Sequence, residues 1–116
     1  MRRTVILLLF FAALSATSVP VEAQDDAGEA DCVVLLHGLA RTEFSFVVME
    51  QALAAQGYVV VNRSFPSTRA TIAELAPETI LPAVARCGVG RVHFVTHSMG
   101  GILLRYWLSV HRPERL

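Results

Sequence analysis

The sequence contains no lysine. Its ten basic residues are all arginine, they balance ten acids for a formal net charge of zero, and the arginine-only usage assigns no function by itself. Charged residues make up only 17% of the chain and form neither a basic patch nor a basic stripe interleaved with aromatics, so nucleic acid is not an expected partner. Histidine and cysteine are scarce as well, at four and two. The two cysteines form no paired C-x-x-C spacing of the kind that holds a metal, and no metal is expected. Internal repeats and low-complexity segments are missing, as is any apolar run of transmembrane length beyond the first 23 residues. What remains is a 116-residue chain with 53% hydrophobic residues, enough for at most one small domain with a dense core.

Residues 1–23 resemble a secretory signal. Arg2 and Arg3 form a charged start, Val5 to Leu14 is an unbroken apolar run, and Val21-Glu22-Ala23 is a small-x-small cleavage site before Gln24. Ten or so apolar residues are too few to span a bilayer, so the expected location is secreted or periplasmic. Cleavage after Ala23 leaves about 93 residues. Residues 24–31, with Asp25, Asp26, Glu29 and Asp31, are expected to be a flexible acidic lead-in to the domain at 32–116.

The chemistry concentrates in Arg91 to Leu108, RVHFVTHSMGGILLRYWL. Val92 to Thr96 has the composition of a buried strand. His97-Ser98-Met99-Gly100-Gly101 follows, and then a run to Val110 whose apolar residues recur at helical spacing. A serine on a sharp strand-to-helix turn is the context of a nucleophile elbow. Such a turn lifts the hydroxyl off the sheet to the positive end of the next helix, where the Met99 amide can face a developing oxyanion. Gly100 and Gly101 suit the close approach of helix and strand backbones. Thr96 occupies the first small position of G-x-S-x-G. The alternative is a plain polar turn with Ser98 as an N-cap.

Upstream, Cys32 to Leu36 reads as a central parallel strand, apolar on both faces, ending at His37-Gly38-Leu39. Phe44 to Ala55 is expected to be a helix with Phe44, Val47, Val48, Gln51 and Ala52 along one stripe, and Gly57 ends it. Tyr58 to Val61 is the second strand, followed by a polar loop over residues 62–70. Thr71-x-x-Glu74 is a capping box that opens a helical region to about Arg86, broken or kinked by Pro77 and Pro82. Gly88 and Gly90 turn into the third strand, and the last helix closes at Arg112-Pro113. The order β-α-β-α-β-α implies an α/β fold with a parallel sheet of three strands and right-handed crossovers.

The two motifs, about sixty residues apart and in this order, resemble the α/β-hydrolase superfamily, in its bacterial lipase and esterase branch. The resemblance covers Cys32 to Leu116 and makes the three strands the family's third, fourth and fifth. It implies Ser98 as nucleophile and the amides of Leu39 and Met99 as oxyanion donors. His37, Gly38, His97 and Gly100 support the motifs, and no cofactor is implied. The implied substrate is a lipid or other ester, cleaved through an acyl-serine, with transient contact to a lipid surface. In that strand order the strand Cys32 begins and the strand Cys87 precedes are neighbours, and both cysteines lie at the amino end of the sheet. They would be a disulfide or two buried thiols. Phe44, Phe46 and Phe65 flank the loops above the sheet, where they would line an acyl pocket or pack in the core.

A catalytic base is not found. In the family the acid and the histidine follow the serine in chain order. After Ser98 the sequence offers only Glu114 and His111, the latter 13 residues on and roughly 20 Å away along a helix. His93 lies five residues back along the strand, and His37 belongs to the oxyanion turn. The expectation is therefore the N-terminal part of a serine hydrolase whose acid and histidine come from a missing C-terminal half or a partner chain. The alternative is an inactive hydrolase-like remnant or an interaction domain.

Overall fold

The structure, a computed structural model, describes residues 29–111 and 116. The expected signal segment, residues 24–28 of the lead-in, and the Arg112-Pro113 helix stop lie outside the described residues. Three strands, β1 (Cys32–Leu36), β2 (Val59–Asn62) and β3 (Val92–Thr96), form one parallel sheet in the order β2-β1-β3. The helices are α1 (Val47–Ala55), α2 (Ile72–Ala85) and α3 (Met99–Val110), with a 3-10 turn at Glu43–Phe46 ahead of α1.

β1 is central, and all five of its residues are buried, as its unbroken apolar run requires. Its side chains alternate between faces. Cys32, Val34 and Leu36 join the main core with Leu75, Ala76, Ile80 and Ala83 of α2 and with Leu103 and Trp107 of α3. Val33 and Leu35 are buried on the other face. The chain steps from β1 outward to β2, then back across β1 to β3. Right-handed crossovers in opposite directions place α1 on one face and α2 on the other. α3 packs against α2 and so shares its face.

The residues before β1 are fixed from Asp31 on. The Asp31 carbonyl accepts the Val59 amide at 3.0 Å, and its carboxylate accepts the Arg91 amide at 3.1 Å and meets His93 Nε2 at 3.1 Å. The last residue of the acidic lead-in is thus anchored across the sheet rather than free.

Two helix expectations are corrected. The stretch from Phe44 does not start as an α-helix: Glu43–Phe46 is 3-10, and the α-helix begins at Val47. Neither is Phe44-Val48 a buried stripe, since those side chains are 77% and 81% exposed and α1 buries no residue fully. Long-range bonds explain the tighter turn. The Glu43 amide donates to Ser64 Oγ at 3.1 Å and its carbonyl accepts Asn62 Nδ2 at 2.9 Å. The second correction is α2, which runs unbroken through Pro77 and Pro82. Each proline costs one intrahelical bond. Burial of Leu75, Ala76, Ile80 and Ala83 and a complete Thr71–Glu74 capping box offset that loss. The second strand is displaced by one residue from the expected Tyr58–Val61.

The two cysteines are joined. Cys32 at the start of β1 and Cys87 just after α2 form a buried disulfide with Cα atoms 5.3 Å apart. Among the described residues, no helix is long and apolar enough to cross a membrane.

Candidate active site

Because α1 and α3 leave the sheet on opposite faces, the carboxyl ends of the neighbouring strands β1 and β3 part there. That is the topological switch point where ligands of open α/β sheets bind. The two loops that meet at this point are His37–Arg41 and His97–Ser98. The ladder runs up to the junction: Leu36 pairs with Thr96, and the His97 amide donates to the Leu36 carbonyl at 3.0 Å.

Ser98 stands on the turn with φ 51° and ψ −117°, a backbone conformation that side-chain-bearing residues rarely adopt. Holding it costs on the order of 1–3 kcal/mol and requires support from the surroundings. A plain N-cap serine would have extended backbone and would bond its hydroxyl to the helix. Ser98 has neither feature, because its side chain makes no capping bond and it is exposed. Among the described residues, the other non-glycine position with positive φ is Ala40, at 54°, in the facing turn. Both strained positions therefore lie at the switch point.

Three glycines let the elements close up. A Cβ on Gly100 would run into the Leu36 carbonyl oxygen and stand 2.9 Å from the His37 oxygen, so the start of α3 presses directly on the end of β1. A Cβ on Gly38 would stand 2.7 Å from His97 Nδ1 and 3.4 Å from Ser98 Cβ. The Gly38 turn is therefore in contact with the serine turn. A Cβ on Gly101 would stand 3.2 Å from Thr96 Oγ1. The bulk of Thr96, the departure from the usual motif, is accommodated by a glycine five residues later.

His37 is fully buried and committed to structure. Its Nδ1–H donates to the Gly38 carbonyl at 2.9 Å, and its Nε2 accepts the Phe65 amide at 3.2 Å. Its ring stacks on Phe65 at 4.0 Å between centroids. Buried Ser67 holds the same two loops together, its hydroxyl accepting the Ala40 amide at 3.0 Å. The loop after β2 thus braces the loop after β1. Met99 opens α3, and the first amides of a helix have no intrahelical acceptor. Leu39 is exposed, and its amide finds no acceptor among the described residues. Both amides are available as donors at the junction.

No described histidine serves Ser98. His93 is at the amino end with Asp31, and His111 donates through Nδ1 to the Trp107 carbonyl at 3.1 Å while stacking on that indole. His97 is exposed beside the serine and lines a cleft of about 330 Å³ with Arg41, Ser45 and Phe46. Of the three phenylalanines, Phe44 is solvent-exposed, Phe46 lines this cleft, and Phe65 packs on His37. A second cavity, about 280 Å³, lies between β1, α2 and the Arg63–Pro66 loop. Neither turn of the junction lines it, so it is not part of this site. Arg41, Ser45 and Ser67 do not stand out in the sequence, and nothing local marks them. They reach the site only through the Ala40 turn and the long-range loop contacts. Among the described residues, no group of His, Cys, Asp and Glu is placed to hold a metal.

No curated protein and no solved structure matches the chain. The parallel sheet, the helices on both faces and the strained serine turn agree with a match of residues 33–113 to the model of the alpha/beta hydrolase family, and the chain belongs to that family.

Proposed function

We propose that the chain carries the nucleophile half of a serine ester hydrolase of the lipase or carboxylesterase type. The observation that carries this reading is the backbone of Ser98 at φ 51°, exposed and pressed against the Gly38 turn. In the proposed reaction Ser98 Oγ attacks the ester carbonyl carbon and its proton passes to a base. The carbonyl oxygen takes the negative charge and accepts hydrogen bonds from the Leu39 and Met99 amides. Collapse expels the alcohol and leaves an acyl-serine, which water then hydrolyses. The base is a histidine, oriented by an acid, from outside the described residues: a further stretch of chain or a partner. Substrates are lipid or other small esters, with transient contact to a lipid surface. Residues 1–23 direct export in this reading, and a buried disulfide suits an oxidising compartment.

A second reading has its own support. The described histidines are all tied elsewhere or adjacent to the serine in sequence, so the chain alone is an inactive remnant or an interaction domain in that reading. A fluorophosphonate probe separates the two, because it labels only an activated serine. The hydrolase reading expects labelling that Ser98→Ala abolishes. Labelling that survives Ser98→Ala overturns the assignment of the nucleophile, and no labelling of the chain with or without its completing half favours the remnant.

A further inference from the structure

The cleft beside Ser98 is walled by one cation, one hydroxyl, one aromatic ring and the imidazole next to the nucleophile. Arg41 is fixed at its backbone, where its amide donates to the Gly38 carbonyl at 3.2 Å and so closes the oxyanion turn. Its side chain is exposed on the cleft and makes no ion pair among the described residues. The pair that is present, Asp31–His93, lies at the opposite end of the sheet. No carboxylate lines the cleft. Glu43, two residues on, bonds Ser64 and Asn62 through its backbone, and its carboxylate Oε2 is buried with no hydrogen-bond partner among the described residues. The guanidinium is therefore an unneutralised charge at the rim of the site.

Resting on the hydrolase reading, we propose that Arg41, Ser45, Phe46 and His97 form an anion-binding subsite, so that the preferred ester carries a second, anionic group. In this subsite an ester held at Ser98 and the Leu39 amide extends one arm into the cleft lined by His97, the residue next to the serine. A carboxylate or phosphate on that arm can take paired hydrogen bonds from the guanidinium fork, which are stronger than neutral ones. The Ser45 hydroxyl and the His97 ring add donors, and Phe46 offers an apolar wall to the linking methylenes. Carboxylate and phosphate share this chemistry.

The test needs no reactive serine. In the full chain carrying Ser98→Ala, amide shifts at Arg41, Phe46 and His97 are titrated with monomethyl glutarate, dimethyl glutarate and a butanoyl ester of glycerol phosphate. The expected result is at least about tenfold tighter binding of the anionic esters than of the neutral diester, weakening as salt is raised. Arg41→Gln removes that preference and leaves diester binding unchanged, while Arg41→Lys keeps part of it. The two anionic arms show whether carboxylate or phosphate is the better fit. Equal affinity for charged and neutral esters, or a preference that persists in Arg41→Gln, overturns the subsite. Failure of fluorophosphonate labelling with the anion preference intact would instead remove the hydrolase reading and leave the subsite standing.

Discussion

At the residue scale, the site depends on where side chains are missing. Gly100 is the sharpest case. Replacing it with alanine drives a methyl group into the backbone of Leu36 and His37, which cannot swing aside as a side chain can. Gly100→Ala is expected to cost about 1–3 kcal/mol, read as a lower urea midpoint at unchanged slope. It should also spoil the serine turn, because α3 must lift away from β1. Gly101 makes the contrasting prediction. Alanine there gains up to about 1 kcal/mol of helix propensity but crowds Thr96 Oγ1. A double-mutant cycle of Gly101→Ala with Thr96→Ala should therefore show coupling of about 1 kcal/mol, with the added methyl better tolerated once the threonine hydroxyl is gone. Strict additivity would mean that the Thr96–Gly101 contact has no energetic role. The sequence shows Thr96 as a departure from its motif and Gly101 as a glycine one residue past its end. Their compensation appears only when the strand end and the first helical turn are placed together.

At the element scale, what could be read from the sequence follows the range of the forces involved. β1, β3 and the capping box were legible because each is written in a few consecutive residues: a buried apolar run, another, and Thr71-x-x-Glu74. The 3-10 turn at Glu43–Phe46 was not, because Ser64 and Asn62 impose it from across the fold. The continuity of α2 was hidden for a related reason. Proline has a local cost that a sequence shows, while the packing that offsets it lies on other elements. Local bonds also set an acid limit on these elements. The Thr71 amide, and then its hydroxyl, donate to the Glu74 carboxylate and hold it below its usual range. His93, followed by the Arg91 amide, does the same for Asp31. Both groups bind protons more weakly folded than unfolded, so their stabilisation is fully present above the unfolded pKa. It is lost as pH falls through the lower folded value. Urea midpoints are expected to drop as pH is taken below about 4.5, and Glu74→Gln and Asp31→Asn should each flatten that drop. An unchanged acid limb in both variants would remove these carboxylates from the account.

At the scale of the whole molecule, β1 is the one strand with neighbours on both sides, while β2 and β3 have a single partner each among the described residues. The site sits on this small sheet at the junction of β1 and β3, so whatever secures β1 secures the site. The disulfide acts at the far end of the same strand. It ties the first residue of β1 to Cys87, two residues past the end of α2, across a sequence separation of 55. Closing a loop of that length removes entropy from the unfolded chain worth about 4 kcal/mol in the chain-entropy account. Few single buried contacts have a comparable effect, since total stabilities are only about 5–15 kcal/mol. Reduction, or the paired change Cys32→Ser with Cys87→Ser, is therefore expected to lower the unfolding free energy by about 4 kcal/mol, measured by urea denaturation with and without reductant. The loss should reach the site through β1: the amides of Leu36, His37 and Gly38 should exchange hydrogen faster in the reduced chain. Superimposable unfolding curves for the oxidised and reduced chains would show that the core of β1, α2 and α3 holds the junction without the covalent link. A stability loss with unchanged exchange at residues 36–38 would confine the disulfide's effect to the amino end of the sheet.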